Sequence, residues 1–262
     1  MTSEFGRQLR LWRGRRGLSQ LALGAAAEVS QRHISFIETG KSTPSRELIE
    51  HLGVVLEIPL RERNALLLAC GYAARHPETD PLDLADLLPS LRFVVDAHAP
   101  YMAVVVDRHW NVVASNTPAQ RLAAGLLDPG VVAGDGVLNL MRATFHPEGL
   151  RRYITNWQAV SPALVSGLAR DVARSPGDAV LASLFDEVRE HAPAEAVPDR
   201  QDGALLLPLR YRIGDHRFDL FTTIAVIDAP LDVTVSELRI ETFWPADAES
   251  DAAWRRFVSE DP

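Results

Sequence analysis

The chain has 262 residues, 47% of them apolar, and a formal net charge of −8, with Lys41 as its single lysine and Cys70 as its single cysteine. That apolar share fills a full core and excludes a disordered chain, and one cysteine excludes an internal disulfide. The absence of any run of eighteen apolar residues, with charged Glu4, Arg7 and Arg10 at the start, excludes a membrane-spanning helix and an apolar leader and leads to the expectation of a cytoplasmic protein.

From the N-terminus, Phe5, Leu9 and Trp12 share one face of a helix over Glu4 to Arg16. Two shorter helical patterns follow between Leu18 and Lys41, separated by a tight turn. In the first, Ser19 is the N-cap, Leu21 and Ala25 are expected inward, and Gln20 lies exposed beside the cap. In the second, Ser30 is the N-cap and Ile34 and Ile37 point to the core, which leaves Gln31, Arg32, His33 and Ser35 outward. Glutamine pairs with adenine and arginine with guanine in a major groove, so this outward face has the chemistry of a base reader. Helices this short need packing partners. A fourth helix from Ser45 to Leu56, with Leu48, Leu52 and Val55 inward, and a fifth from Leu60 to Ala69, stopped by Gly71, provide them. Residues 1 to 46 carry eight Lys or Arg against three Glu, a local excess near +5 in an acidic chain, as contact with phosphates requires.

Leu18-Ser19-Gln20, Ile34-Ser35-Phe36-Ile37-Glu38-Thr39-Gly40-Lys41 and Pro44-Ser45 together resemble the landmarks of the Cro/cI or XRE superfamily of DNA-binding domains. The resemblance implies an all-α, five-helix helix-turn-helix domain over residues 1–72. It places Gln20 on a phosphate or base edge, Gln31, Arg32 and Ser35 in the major groove with His33 flanking, and Lys41 and Thr43 on phosphates. Gly40 suits a left-handed cap that turns the chain toward them. One position departs from the pattern: Glu28 stands where a turn glycine is usual, so it must adopt a positive φ or shift the turn.

Residues 73–98 read as a linker and a connecting helix. Arg75 to Pro81 lacks apolar periodicity, and a helix is expected from Pro89 to about His98, carrying Leu91, Val94 and Val95 toward a dimer partner or the next domain. Beyond it, residues 99–250 read as an α+β domain. Strands are expected over Met102–Val106 and Trp110–Ser115, then a helix opened by Thr117-Pro118. Helices follow near Val137–Arg142, Glu148–Ala159, Ala163–Arg174 and Asp178–His191. Alternation then predicts strands over Leu205–Ile213 and Phe218–Val226, with a last one over Leu238–Trp244.

The run from Val105 to Asn116 resembles a PAS-like sensor. Taken with Asn139-Leu140, Phe145-His146-Pro147-Glu148-Gly149, Asn156-Trp157, Pro230-Leu231-Asp232-Val233-Thr234 and Glu241-Thr242-Phe243-Trp244-Pro245-Ala246-Asp247, it is similar to the MmyB-like ligand-binding domain. That resemblance implies an antiparallel sheet with helices, joined to an XRE-type head in a ligand-responsive transcription regulator. Its implied ligand is lipidic or otherwise apolar, such as a fatty acid. Trp110, Trp157 and Phe221, with small Ala114, are the candidate ligand-lining residues, while Phe243 and Trp244 add to the aromatic load near the sheet. Arg210, Arg212 and Arg217 are read as a solvated strand face. His146, Asp107 and Ser115 form no recognised catalytic pattern, and the eight histidines are scattered without metal-ligand spacing, so neither catalytic nor metal residues are assigned. The expected function is a repressor acting as a homodimer on double-stranded DNA, with no membrane association. The alternative is a regulator whose second domain holds no ligand and serves to dimerise or bind another protein.

Overall fold

A computed structural model describes residues 3–260 apart from 129, 131–132, 135, 176, 194–205 and 228–229. The chain divides into two compact units, one of residues 1–79 with 228–236, the other of 80–227 with 237–262.

The first unit holds α1 (Glu4–Arg15), α2 (Gln20–Ala26), α3 (Gln31–Glu38), α4 (Arg46–Val55) and α5 (Leu60–Ala69). Four of these helices start the same way: the hydroxyls of Ser3, Ser19, Ser30 and Ser45 accept from the amides of Gly6, Ala22, His33 and Leu48. Each such cap is worth about 1 kcal/mol. Phe5, Leu9, Trp12, Leu23, Ile34, Ile37, Ile49 and Leu52 form the core between the helices.

The register of α2 differs from the sequence expectation. Leu21 and Ala25 are exposed, and Leu23 and Gly24 point inward. Close approach of the two helices of the motif decides it, because a Cβ on Gly24 would lie 2.6 Å from the Val29 carbonyl oxygen. In α4, likewise, Ile49 and Leu52 are buried while Leu48 and Val55 are only half-buried. Glu28 does take the left-handed conformation, at φ 54°, and Gly40 closes α3 at φ 75°.

Residues 73–79 are held in place. The Asn64 side-chain oxygen accepts from the amides of Arg75 and His76, each at 3.0 Å. A short helix, α11 (Val233–Ser236), belongs to the same unit. Before it, the Asp232 carboxylate accepts from the Thr79 amide at 3.0 Å and its hydroxyl at 2.9 Å, and the Val233 amide donates to the Pro77 carbonyl at 2.8 Å.

The second unit is built on an antiparallel sheet in the order β2-β1-β7-β6-β5. Its strands are β1 (Ala103–Val106), β2 (Val112–Ser115), β5 (Leu209–Ile213), β6 (His216–Val226) and β7 (Arg239–Pro245). Cross-strand pairing puts Val104, Val106, Glu241, Phe243, Tyr211, Phe218 and Leu220 on one face. Most of them enter one apolar cluster with residues of α7 (Thr117–Leu126), α8 (Leu140–Phe145), α9 (Trp157–Arg174) and α10 (Ala179–His191). Ala103, Val105 and Ala114 occupy the opposite face, where α6 (Leu88–Asp96) packs on β1 and β2 and buries Leu91 and Val95.

Three helix expectations change. Residues 137–138 form β4 in a hairpin with β3 (Ala133–Gly134), and the helix begins only at Leu140, capped by Asn139. Residues 148–159 hold a 3₁₀ turn at Leu150–Tyr153, after which α9 runs unbroken from Trp157 to Arg174 with Pro162 inside it. Burial of Trp157, Val160 and Leu168 outweighs the backbone bond that Pro162 removes. The β5 strand starts at Leu209, and Leu205 lies outside the described residues. A last helix, α12 (Ala248–Ser259), had no counterpart in the sequence reading, although its Trp254 and Phe257 pack on Phe218 at 5.2 and 5.5 Å between ring centroids.

Candidate functional site

Two places in the chain carry chemistry. The first is the outward face of α3. Inward Ile34, Ile37 and Glu38 fix the helix, and Gln31 and Arg32 are exposed on the other side, with His33 and Ser35 half-buried and Lys41 and Thr43 exposed just beyond. Phe36 organises this face. The Arg32 guanidinium lies 5.1 Å from its ring centroid and the Lys41 ammonium 5.8 Å, so one half-buried ring holds two cations. Such contacts cut the rotamer freedom lost on meeting an anion. Nothing in the apolar periodicity of α3 marks Phe36 out, since the ring's use depends on which cations the fold brings over it.

Gln20 is differently engaged. Its side-chain amide donates to Glu38 Oε2 at 2.8 Å. Arg13 donates to the same carboxylate from Nε at 2.6 Å and Nη2 at 3.1 Å, and Arg10 approaches at 3.4 Å. Burial alone would raise the Glu38 pKa, but the hydrogen bonds of Arg13 and Gln20 and the charges of Arg13 and Arg10 outweigh it and hold the carboxyl below its ordinary range. This buried network ties α1, α2 and α3 together at the end of α3. Its signal in the sequence is a single acidic residue at a position where helix spacing calls for an apolar one.

The second place is the helix-covered face of the sheet. Trp110 and Trp157 both belong to its apolar cluster. The Trp110 indole donates to Asp171 Oδ2 at 3.2 Å and carries the Arg239 guanidinium 4.9 Å from its ring centroid, and Arg239 in turn pairs with Asp171. Trp157 packs edge-on against Phe145 at 4.8 Å. The four expected lining residues are not brought together. Ala114 pairs with Val105 and Phe221 with Trp244, which places both on the face opposite Trp110 and Trp157. The strand alternation holds this information, but only the pairing of β1 with β7 and β6 turns it into a choice of face.

Residues that resembled motif chemistry are structural. Asp107 accepts from the amides of His109 and Asn111, Asn116 caps α7, and Asn139 bonds His109 and Asn111. His146 accepts from the Glu148 amide, and the Arg210 guanidinium lies 3.4 Å from Asp219. Among the described residues no group of His, Cys, Asp or Glu is placed to hold a metal ion, and no helix is long and apolar enough to cross a membrane.

The MmyB-like transcription regulator ligand binding domain matches residues 87–257, well over half of the chain, and a helix-turn-helix domain matches residues 4–66. No curated protein matches.

Proposed function

The chain belongs to the MmyB-like transcription regulators and is a DNA-binding regulator with a ligand-binding domain; from that premise we propose that it is a repressor, acts as a homodimer, and is switched by an apolar small molecule. The observation that carries the DNA half is the exposed α3 face, with Arg32 and Lys41 steadied on Phe36 beside Gln31. Arg32 and Gln31 read base edges, and Lys41 and Thr43 contact phosphates. Gln20 is the weakest of the sequence-predicted contacts, because its amide donates to Glu38. A single head offers a small DNA surface, and two recognition helices about 34 Å apart on a palindrome supply the missing specificity. Phe93, 77% exposed, and Val94, 47% exposed, give α6 an uncovered apolar edge suited to pairing.

The ligand half rests on the apolar cluster beneath α7–α10, where Trp110 and Trp157 join aliphatic residues of the sheet. Ligand and DNA then change each other's affinity by a common factor, about 5- to 150-fold in coupled systems. Selection from random duplexes, followed by footprinting and sedimentation, tests the DNA half: a two-fold symmetric site bound by a dimer is expected, and an asymmetric footprint from a monomer refutes it. For the ligand half, an apolar series that alters neither operator affinity nor melting temperature refutes the switch and leaves the second domain as an interaction module.

A further inference from the structure

Phe36 is a large apolar side chain on the polar side of its helix. With about 100° between successive residues, Phe36 and Arg32 each stand about 160° from Ile34 and about 40° from each other. Ile34 is fully buried, so these two are the most outward positions of α3. Among the described residues, neither the core of the first unit nor the partly buried apolar side chains packed against it include Phe36. Core filling therefore does not account for an aromatic ring at this position.

What meets the ring is charge. The end of α3 fixes one cation: the Gly40 amide donates to the Ile37 carbonyl at 3.1 Å and the Lys41 amide to the Phe36 carbonyl at 2.8 Å, a pairing that Gly40 permits at φ 75° and that brings Lys41 back to the ring. The other cation, Arg32, comes from one turn earlier on the same face. Both are exposed, and the ring between their heads and the helix is half-buried.

The surroundings of the ring say what it can touch. With Arg32 on a base edge and Lys41 on a phosphate, a ring in contact with both faces the major groove. A phenyl ring offers no hydrogen bond. The base edges in that groove present donors and acceptors, and the apolar group among them is the 5-methyl of thymine.

We propose that Phe36 reads sequence, its ring packing on the 5-methyl of a thymine close to the guanine that Arg32 pairs with. This rests on the DNA-binding reading above and adds a contact to it. Four residues of helix separate Arg32 from Phe36 by about 6 Å, and base pairs stack about 3.4 Å apart, so the thymine lies within about two base pairs of that guanine.

The test uses the full chain and the operator recovered by selection, with each thymine replaced in turn by uracil, which differs from it only by the methyl. Binding is read by fluorescence anisotropy. Uracil at the thymine beside the Arg32-dependent guanine should weaken binding about fourfold, the effect of returning one methyl to water. In Phe36→Ala the thymine–uracil difference at that position should vanish while the guanine preference persists. The ring lies outside the core, so melting temperature checks that this variant is folded, and the uracil scan of the wild type needs no variant. If uracil weakens binding at no thymine near that guanine, or if Phe36→Ala keeps the difference, Phe36 does not read thymine, whereas a guanine preference lost in Arg32→Ala leaves the base-reading role of α3 standing. If Phe36→Ala weakens operator and random duplexes alike, the ring only positions its two cations and the proposal is overturned. If the wild type prefers no sequence, both readings fall.

Discussion

Replacing Arg13 with methionine would leave the Glu38 carboxylate buried with Gln20 at 2.8 Å and the half-exposed Arg10 at 3.4 Å as its remaining partners. Removing one member of a buried ion pair costs about 3–5 kcal/mol, most of it the desolvation of the charge left behind. Arg13 keeps 15% of its side chain in solvent and two partners persist, so about 3 kcal/mol is expected, at the low end of that range. At 1.4 kcal/mol per factor of ten, amide protection in α1 and α3 should fall by about two orders of magnitude in native-state hydrogen exchange. The pH dependence adds a second readout. In the wild type the Glu38 pKa is lowered, so its contribution is present above the unfolded value of 4.5 and is lost as pH falls through the folded one. Without Arg13 burial dominates and the pKa rises above 4.5, so the variant should instead gain stability as pH falls toward that value. Protection within threefold of wild type, or a slope of unchanged sign, would refute the account of Glu38 as the clasp of the three helices.

Three other outcomes follow from the same structure. Arg32→Ala should cost about 1–3 kcal/mol on the selected operator and relax its sequence preference, whereas Lys41→Ala should weaken all duplexes alike and lower the salt slope by about one; equal losses on specific and random DNA for Arg32→Ala would count against base reading. Glu28→Gly relieves a side chain held at φ 54° and should raise the stability of the first unit by about 1 kcal/mol, read by hydrogen exchange in α2 and α3, with no gain if the turn is unstrained. Glu241, raised by burial from 4.5 to about 7, contributes stability that is full below pH 4.5 and is lost as pH rises to about 7, on the order of 3 kcal/mol. Denaturation of wild type and Glu241→Gln across that window should give curves that diverge by this amount, and parallel curves would rule out the raised value.

The five N-terminal helices are legible in the sequence because they rest on local chemistry. Serine caps at Ser19 and Ser30, apolar spacing at Phe5, Leu9 and Trp12, and stops at Gly40 and Gly71 each act within a turn or two of the chain. The strands of the second unit are legible for a similar reason, since alternation is a local property; so is the exposure of Gln31 and Arg32. What sits between elements was not. Leu21 and Leu23 are both apolar on α2, and only the contact of Gly24 with Val29 decides which is buried. The aromatic residues near the sheet are alike in type, yet the antiparallel register turns Phe221 to the face opposite the cluster that holds Trp110 and Trp157. Glu241 looks like an ordinary strand carboxylate until β1 and β6 flank β7 and burial removes its water, which leaves its second oxygen without a partner. Periodicity reports which way a side chain points relative to its own backbone; pairing and burial, set by residues far away in the chain, decide what it meets there.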